Sequence, residues 1–351
     1  MHARNHTIRF YRVVGLAIAS LILAPCASWG AISFPDPLPR APLEARMLVD
    51  PADGKFQQFS LIEAALIASG VDRASKLESY ERKYAAWLSA VRRLTKNEES
   101  PLRRLEVLFE FMHREILGGG YDAQATELTH PFDDGKFNCA SATVLFTALA
   151  IDCGLNVHPI ERPRHAMCAV EIDGRQLVVE TTCPNWFQLT SEMRREAERA
   201  ALVRDAATDQ SASRREIGAA ALVAVIYYNR GVDLLHENRF AEAVSVNVRA
   251  LGLDPENETA AGNLLASINN WALSLCAEGE YAEAAELLAR GLAIAPDHEP
   301  FHTNQRHVYR SWIQSLAAAG RQREAIAVLD AARRADPGSV IWNYWSQRLG
   351  M

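Results

Sequence analysis

Phe137-Asn138-Cys139-Ala140-Ser141-Ala142-Thr143-Val144-Leu145-Phe146-Thr147-Ala148-Leu149 is the stretch on which the fold turns. Asn138 is a good helix N-cap, and the small and apolar residues from Ala140 to Leu149 suit a buried helix. Upstream, Gly118, Gly119 and Gly120 open an irregular run containing Pro131, Asp133, Asp134 and Gly135, a loop long enough to be functional. Before that loop, residues 57 to 116 carry apolar positions at helical spacing: Leu61, Ala64, Ala65 and Ile67, then Tyr84, Trp87, Leu88 and Val91, then Leu105, Leu108, Phe109 and Met112. They predict three amphipathic helices. Downstream the period changes to two, with strand-like runs at Leu155 to Ile160, Ala166 to Ile172 and Gln176 to Thr181; Asp173-Gly174 is a two-residue hairpin signal. Helices, one central helix and a short antiparallel sheet make an α+β order.

Cys139 falls at the first position of the central helix, where unsatisfied amides and the helix dipole favour a thiolate. A turn at Asp173-Gly174 pairs Ile172 with Arg175, which sets His165 opposite Thr182 and Glu180 diagonally on the same face. The pattern therefore predicts an imidazole beside a carboxylate. In chemical terms Cys139 is a candidate nucleophile, His165 a proton shuttle, and Glu180 the group that orients and charges the imidazole. The Cys139 N–H is one candidate oxyanion donor; Tyr121 and Asn138 are candidates for a second.

Singly, each residue has an ordinary reading: a small core thiol, a satisfied strand histidine, a solvated glutamate. Together, Asn138-Cys139-Ala140-Ser141, Arg164-His165-Ala166-Met167 and Val179-Glu180-Thr181-Thr182 resemble the transglutaminase-like superfamily. The resemblance covers roughly residues 57 to 190. It implies an α+β, papain-like cysteine domain in which a helix starting at the nucleophilic Cys packs on a sheet bearing the His and then the acid. The third residue departs from the usual Asp, here being Glu180. Some bacterial members of that superfamily serve as binding modules without catalysis.

Beyond residue 213 the chain repeats. Asn238-Arg-Phe-Ala-Glu-Ala243, Gly279-Glu-Tyr-Ala-Glu-Ala284 and Gly320-Arg-Gln-Arg-Glu-Ala325 are one phrase, and Pro255, Pro296 and Pro337 recur 41 residues apart. These landmarks resemble tetratricopeptide repeats, whose usual period is about 34. The extra residues predict a lengthened first helix in the second and third units, such as Glu258 to Ala277. Trp342 and Trp345 mark a capping helix on an all-α solenoid, whose groove is suited to a protein or peptide partner. Ser213 and Glu216 fit a capping box opening the first of these helices.

The organisation expected is a signal peptide at 1–31, an extended segment at 32–56, a transglutaminase-like domain at 57–206, a linker at 207–212 and a helical repeat domain at 213–351. The N-terminus reads as an export signal, because Arg4, Arg9 and Arg12 precede the apolar stretch Val13 to Pro25, which is too short to span a bilayer. That predicts a periplasmic or extracellular location with no stable membrane span once the signal is cleaved. Leu23-Ala24-Pro25-Cys26 also resembles the lipobox of bacterial lipoproteins, with Pro25 departing from the pattern, so an anchor through Cys26 is the competing expectation.

The 351 residues, 49% hydrophobic and 23% charged, are enough for two folded domains. Net charge is −6, and −9 without the three N-terminal arginines, which argues against general nucleic-acid binding. Past the signal, Cys139, Cys153, Cys168, Cys183 and Cys276 are odd in number, so at least one thiol stays unpaired. With no Cys-x-x-Cys pair, phosphate loop, dinucleotide fingerprint or metalloprotease motif, neither an organic cofactor nor a metal is expected. Two functions compete: an exported cysteine-dependent hydrolase or acyltransferase working through a Cys139 thioester, and a non-catalytic periplasmic protein-binding scaffold.

Overall fold

The computed structural model describes residues 34–196, 199 and 214–351. The expected signal peptide, Cys26, the expected linker at 207–212 and Ser213 lie outside the described residues. Four helices come first: α1 (Pro42–Leu48), α2 (Leu61–Ala68), α3 (Ala74–Thr95) and α4 (Pro101–Phe111). Ser60 and Glu63 form a capping box at the start of α2, and Ser100 caps α4 ahead of Pro101, so local chemistry fixes both starts. α4 runs directly into a π-helical turn, Met112–Ile116. The two-residue strands β1 (Gly120–Tyr121) and β2 (Lys136–Phe137) pair in parallel and clamp the ends of the loop between them, which also holds the short α5 (Thr129–Asp133). Gly119 is obligatory there, since an added Cβ would sit 2.3 Å from the Asp134 carbonyl oxygen.

The central helix α6 (Cys139–Asp152) is buried continuously from Ala140 to Ala150. It packs on β3 (Asn156–Arg162) and β4 (His165–Ile172) on one side and on α2 and α4 on another. With β5 (Arg175–Val179) and β6 (Arg215–Glu216), these strands form a four-stranded antiparallel sheet in the order β5-β4-β3-β6. Ile172 pairs with Arg175 as the turn requires, and Asp173 and Gly174 both have positive φ (50° and 73°), the signature of a type I′ turn.

Seven helices follow: α7 (Ala219–His236), α8 (Phe240–Leu253), α9 (Glu258–Glu278), α10 (Tyr281–Ile294), α11 (Glu299–Ala318), α12 (Gln322–Ala335) and α13 (Ile341–Arg348). The starts of α8, α10 and α12 repeat at the 41-residue period. The leading helices of the second and third hairpins have 21 and 20 residues, against 18 in the first. Trp342 and Trp345 on α13 are buried. The architecture is thus a small sheet region followed by a run of helices, α+β and then all-α.

Two expectations are corrected. The 32–56 segment is not simply extended: Pro42–Leu48 is helical, because Glu44 on it accepts from Arg249 and from the Tyr227 hydroxyl, which draws the segment onto α7 and α8. Glu216, expected in the first turn of a helix, lies instead in β6, paired with Ile160, and α7 starts only at Ala219 with Gly218 as its N-cap. Pairing with the free edge of β3 satisfies backbone groups that a helix there would have left unpaired.

The sheet region and the first repeats share one apolar core, running from Phe34 through Phe146 and Tyr227 to Val308; the last hairpin and α13 form a smaller one around Leu329 and Trp342. α7 packs directly on α2 and α6. Polar contacts bind the same seam. The Glu161 carboxylate accepts from the Tyr228 hydroxyl (2.8 Å), from Asn257 Nδ2 (3.0 Å) and from Arg215, whose guanidinium also bridges to Asp254.

Candidate active site

Cys139 begins α6 because of Asn138. The Asn138 Oδ1 accepts from the N–H groups of Ala140 (2.9 Å) and Ser141 (3.2 Å), and the Ser141 hydroxyl accepts from the Asn138 N–H (3.0 Å). Of the four donors left over at any helix start, these contacts satisfy three. Among the described residues the Cys139 N–H has no such partner. Asn138 Nδ2 spends both hydrogens on the loop, donating to Ala123 O (3.2 Å) and Thr126 Oγ1 (2.8 Å). Asn138 therefore does not serve as an oxyanion donor, correcting that expectation. Its role is to fasten loop to helix.

His165 is the first residue of β4, reached through the Pro163-Arg164 turn, where Arg164 takes a positive φ of 59°. Its partner across the sheet is Arg162. Glu180 follows the last residue of β5 and meets His165 as the hairpin register predicts, with 2.7 Å between His165 Nε2 and Glu180 Oε2. The other carboxylate oxygen accepts from the Thr182 N–H (3.1 Å) and hydroxyl (2.6 Å), so both oxygens of Glu180 are held. An ionised carboxylate only accepts, so Nε2 carries the proton and Nδ1 is left for the thiol.

The electrostatics bind the three residues together. Burial alone would push the His165 imidazole down. Hydrogen bonding with Cys139 and Glu180, and the negative charge of both, outweigh it and raise His165 to about 10. Burial likewise opposes ionisation of Glu180, yet the bonds from His165 and Thr182 hold its carboxyl below the ordinary value. The site is partly open to solvent, with the side chains of His165 and Glu180 27% and 19% exposed.

Tyr121, on β1, packs edge-on against Phe137, its ring centroid 6.1 Å away. Desolvation, followed by the negative charge of Cys139 and Glu180, raises its phenol, which stays a donor through neutral pH. α7 of the repeat region packs on α6, the helix that Cys139 begins.

Sequence reasoning missed three contributors. Thr182 fixes the carboxylate. Thr143, one turn into α6, bonds through its hydroxyl to that of Thr181 (2.9 Å). His113, on the π-helical turn, reaches the Thr181 carbonyl with Nε2 (3.1 Å). The Thr-Thr sequence after Glu180 and the lone His before the glycine run are the only traces these leave in the chain.

Among the described residues the other cysteines, Cys153, Cys168, Cys183 and Cys276, are free thiols too. Burial pushes Cys168 up to about 12 and raises Cys153 and Cys276, which makes them poor nucleophiles. Among the described residues no three His, Cys, Asp or Glu side chains are grouped as a metal would require, and no helix is long and apolar enough to cross a membrane. In comparisons with known proteins, no family model, no curated protein and no solved structure matches this chain.

Proposed function

We propose that the protein is an exported, transglutaminase-like cysteine enzyme that cleaves or transfers an amide through a thioester on Cys139, with tetratricopeptide-type repeats that bind a protein substrate or partner. The observation that carries this reading is the His165 imidazole, held by Glu180 at Nε2 and coupled to Cys139 at the head of a buried helix.

The chemistry follows from the geometry. The Cys139 thiolate attacks the amide carbonyl carbon, and the resulting oxyanion takes the Cys139 N–H and the Tyr121 hydroxyl as donors. The His165 imidazolium gives its Nδ1 proton to the leaving amine as the C–N bond breaks and the thioester forms. A water or a second amine then attacks the thioester, His165 takes up its proton, and Cys139 leaves as the thiolate. Glu180 stays ionised throughout and stabilises the imidazolium. Hydrolysis is the favoured outcome in a site open to solvent, because transfer to an amine requires water to be kept out.

Iodoacetamide labelling of Cys139 from pH 5 to 9, located by mass spectrometry in wild type and His165→Ala, tests the reading. Rapid labelling below pH 7 that slows sharply in the variant supports it. A profile that rises only near the ordinary thiol value of about 8.5 and ignores His165 would leave a binding scaffold instead.

A further inference from the structure

His113 has a place in the fold that α-helical continuation of α4 would not give it. The five-residue π-turn Met112–Ile116 re-aims the chain at the end of α4, and such turns accumulate at functional sites. The imidazole of His113 is packed between two aromatic rings, with centroids 4.6 Å from Phe109 and 5.7 Å from Phe137. Its Nε2–H donates to the carbonyl of Thr181, a fully buried residue.

Both contacts lead to the site. Phe137 is two residues before Cys139 and directly precedes its N-cap. Thr181 directly follows Glu180, and its hydroxyl is tied to Thr143 on the nucleophile's own helix. One side chain thus spans the segment that delivers the thiol and the segment that delivers the acid. Burial drives the His113 imidazole down to about 4, so at neutral pH it donates without adding a positive charge that would compete for Glu180.

We propose that His113 is a positioning residue for the Cys139–His165–Glu180 site, bolting the Thr181 carbonyl so that Glu180 is held at hydrogen-bond distance from His165. The inference rests on Cys139 being an activated nucleophile, as proposed above.

The test compares His113→Gln and His113→Asn in the full chain. A Gln amide nitrogen matches the position of Nε2 and can still donate to Thr181; the Asn nitrogen falls short, at the position of Nδ1. Both are polar and of similar bulk, so a general packing defect affects them alike. The readout is the pH profile of Cys139 labelling by iodoacetamide. The Asn variant is expected to label about three- to tenfold more slowly at pH 6, the span of one lost hydrogen bond, with the profile displaced to higher pH and with Gln restoring most of the loss. Gln as slow as Asn, or an Asn profile superimposed on wild type, overturns the role of His113. A wild-type profile centred near about 8.5 instead sinks the nucleophile reading itself, and this inference with it, so the two failures are distinguishable.

Discussion

Glu180 Oε2 and His165 Nε2 stand 2.7 Å apart at the ends of two neighbouring strands, and the second carboxylate oxygen is held by Thr182. Removing the charge while keeping the shape isolates what this contact does. Glu180→Gln is expected to lower Cys139 labelling at pH 6 by about tenfold or more, because a neutral amide no longer stabilises the imidazolium that accompanies the thiolate. Labelling rates of the variant and wild type across pH 5 to 9 provide the check.

The same pair sets a pH signature on stability. His165 is raised in the folded state, so its contribution is fully present below the unfolded value of about 6.5 and fades as pH climbs towards about 10. Glu180 is lowered, so its contribution is present above the ordinary carboxylate range and is lost on acidification. The Tm gap between wild type and His165→Ala should therefore be widest near pH 6 and narrow towards pH 10. A gap that stays constant from pH 6 to 10 would refute the linkage.

Asn138 provides a graded stability test. Asn138→Ala removes the cap of α6 and both bonds to the loop, and is expected to cost about 2 to 4 kcal/mol. Asn138→Asp keeps an acceptor for the Ala140 and Ser141 amides but cannot donate to Ala123 and Thr126, so it should fall between the two. Urea unfolding of the three proteins orders them.

At the seam with the repeats, Arg215→Met should destabilise by about 3 to 5 kcal/mol, since Glu161 and Asp254 would be left buried without their cation. Urea midpoints of the variant and wild type measure it.

How much of this the sequence reveals depends on the range of the interaction. The cap at Asn138, the Asp173-Gly174 turn and the 41-residue period are local signals, and the register of a two-residue turn carries His165 to Glu180 by counting alone. The strand Arg215–Glu216 left no pattern, being two residues long and chosen by the free edge of β3. The helix at Pro42–Leu48 owes its docking to Arg249 and Tyr227, some two hundred residues away. His113 escaped notice because a π-turn has no periodic signature, and its partner is a backbone carbonyl that any residue would supply.

The apolar core that α7 shares with α2 and α6 makes the chain less modular than its repeats suggest. Tandem helical hairpins usually lend themselves to being trimmed, swapped or lengthened one unit at a time. Here the first hairpin also packs on the helix that carries the thiol. Excising it would uncover the flank of α6 and disturb the site along with the scaffold, whereas α12 and α13, whose apolar cluster is separate, could be trimmed without touching it.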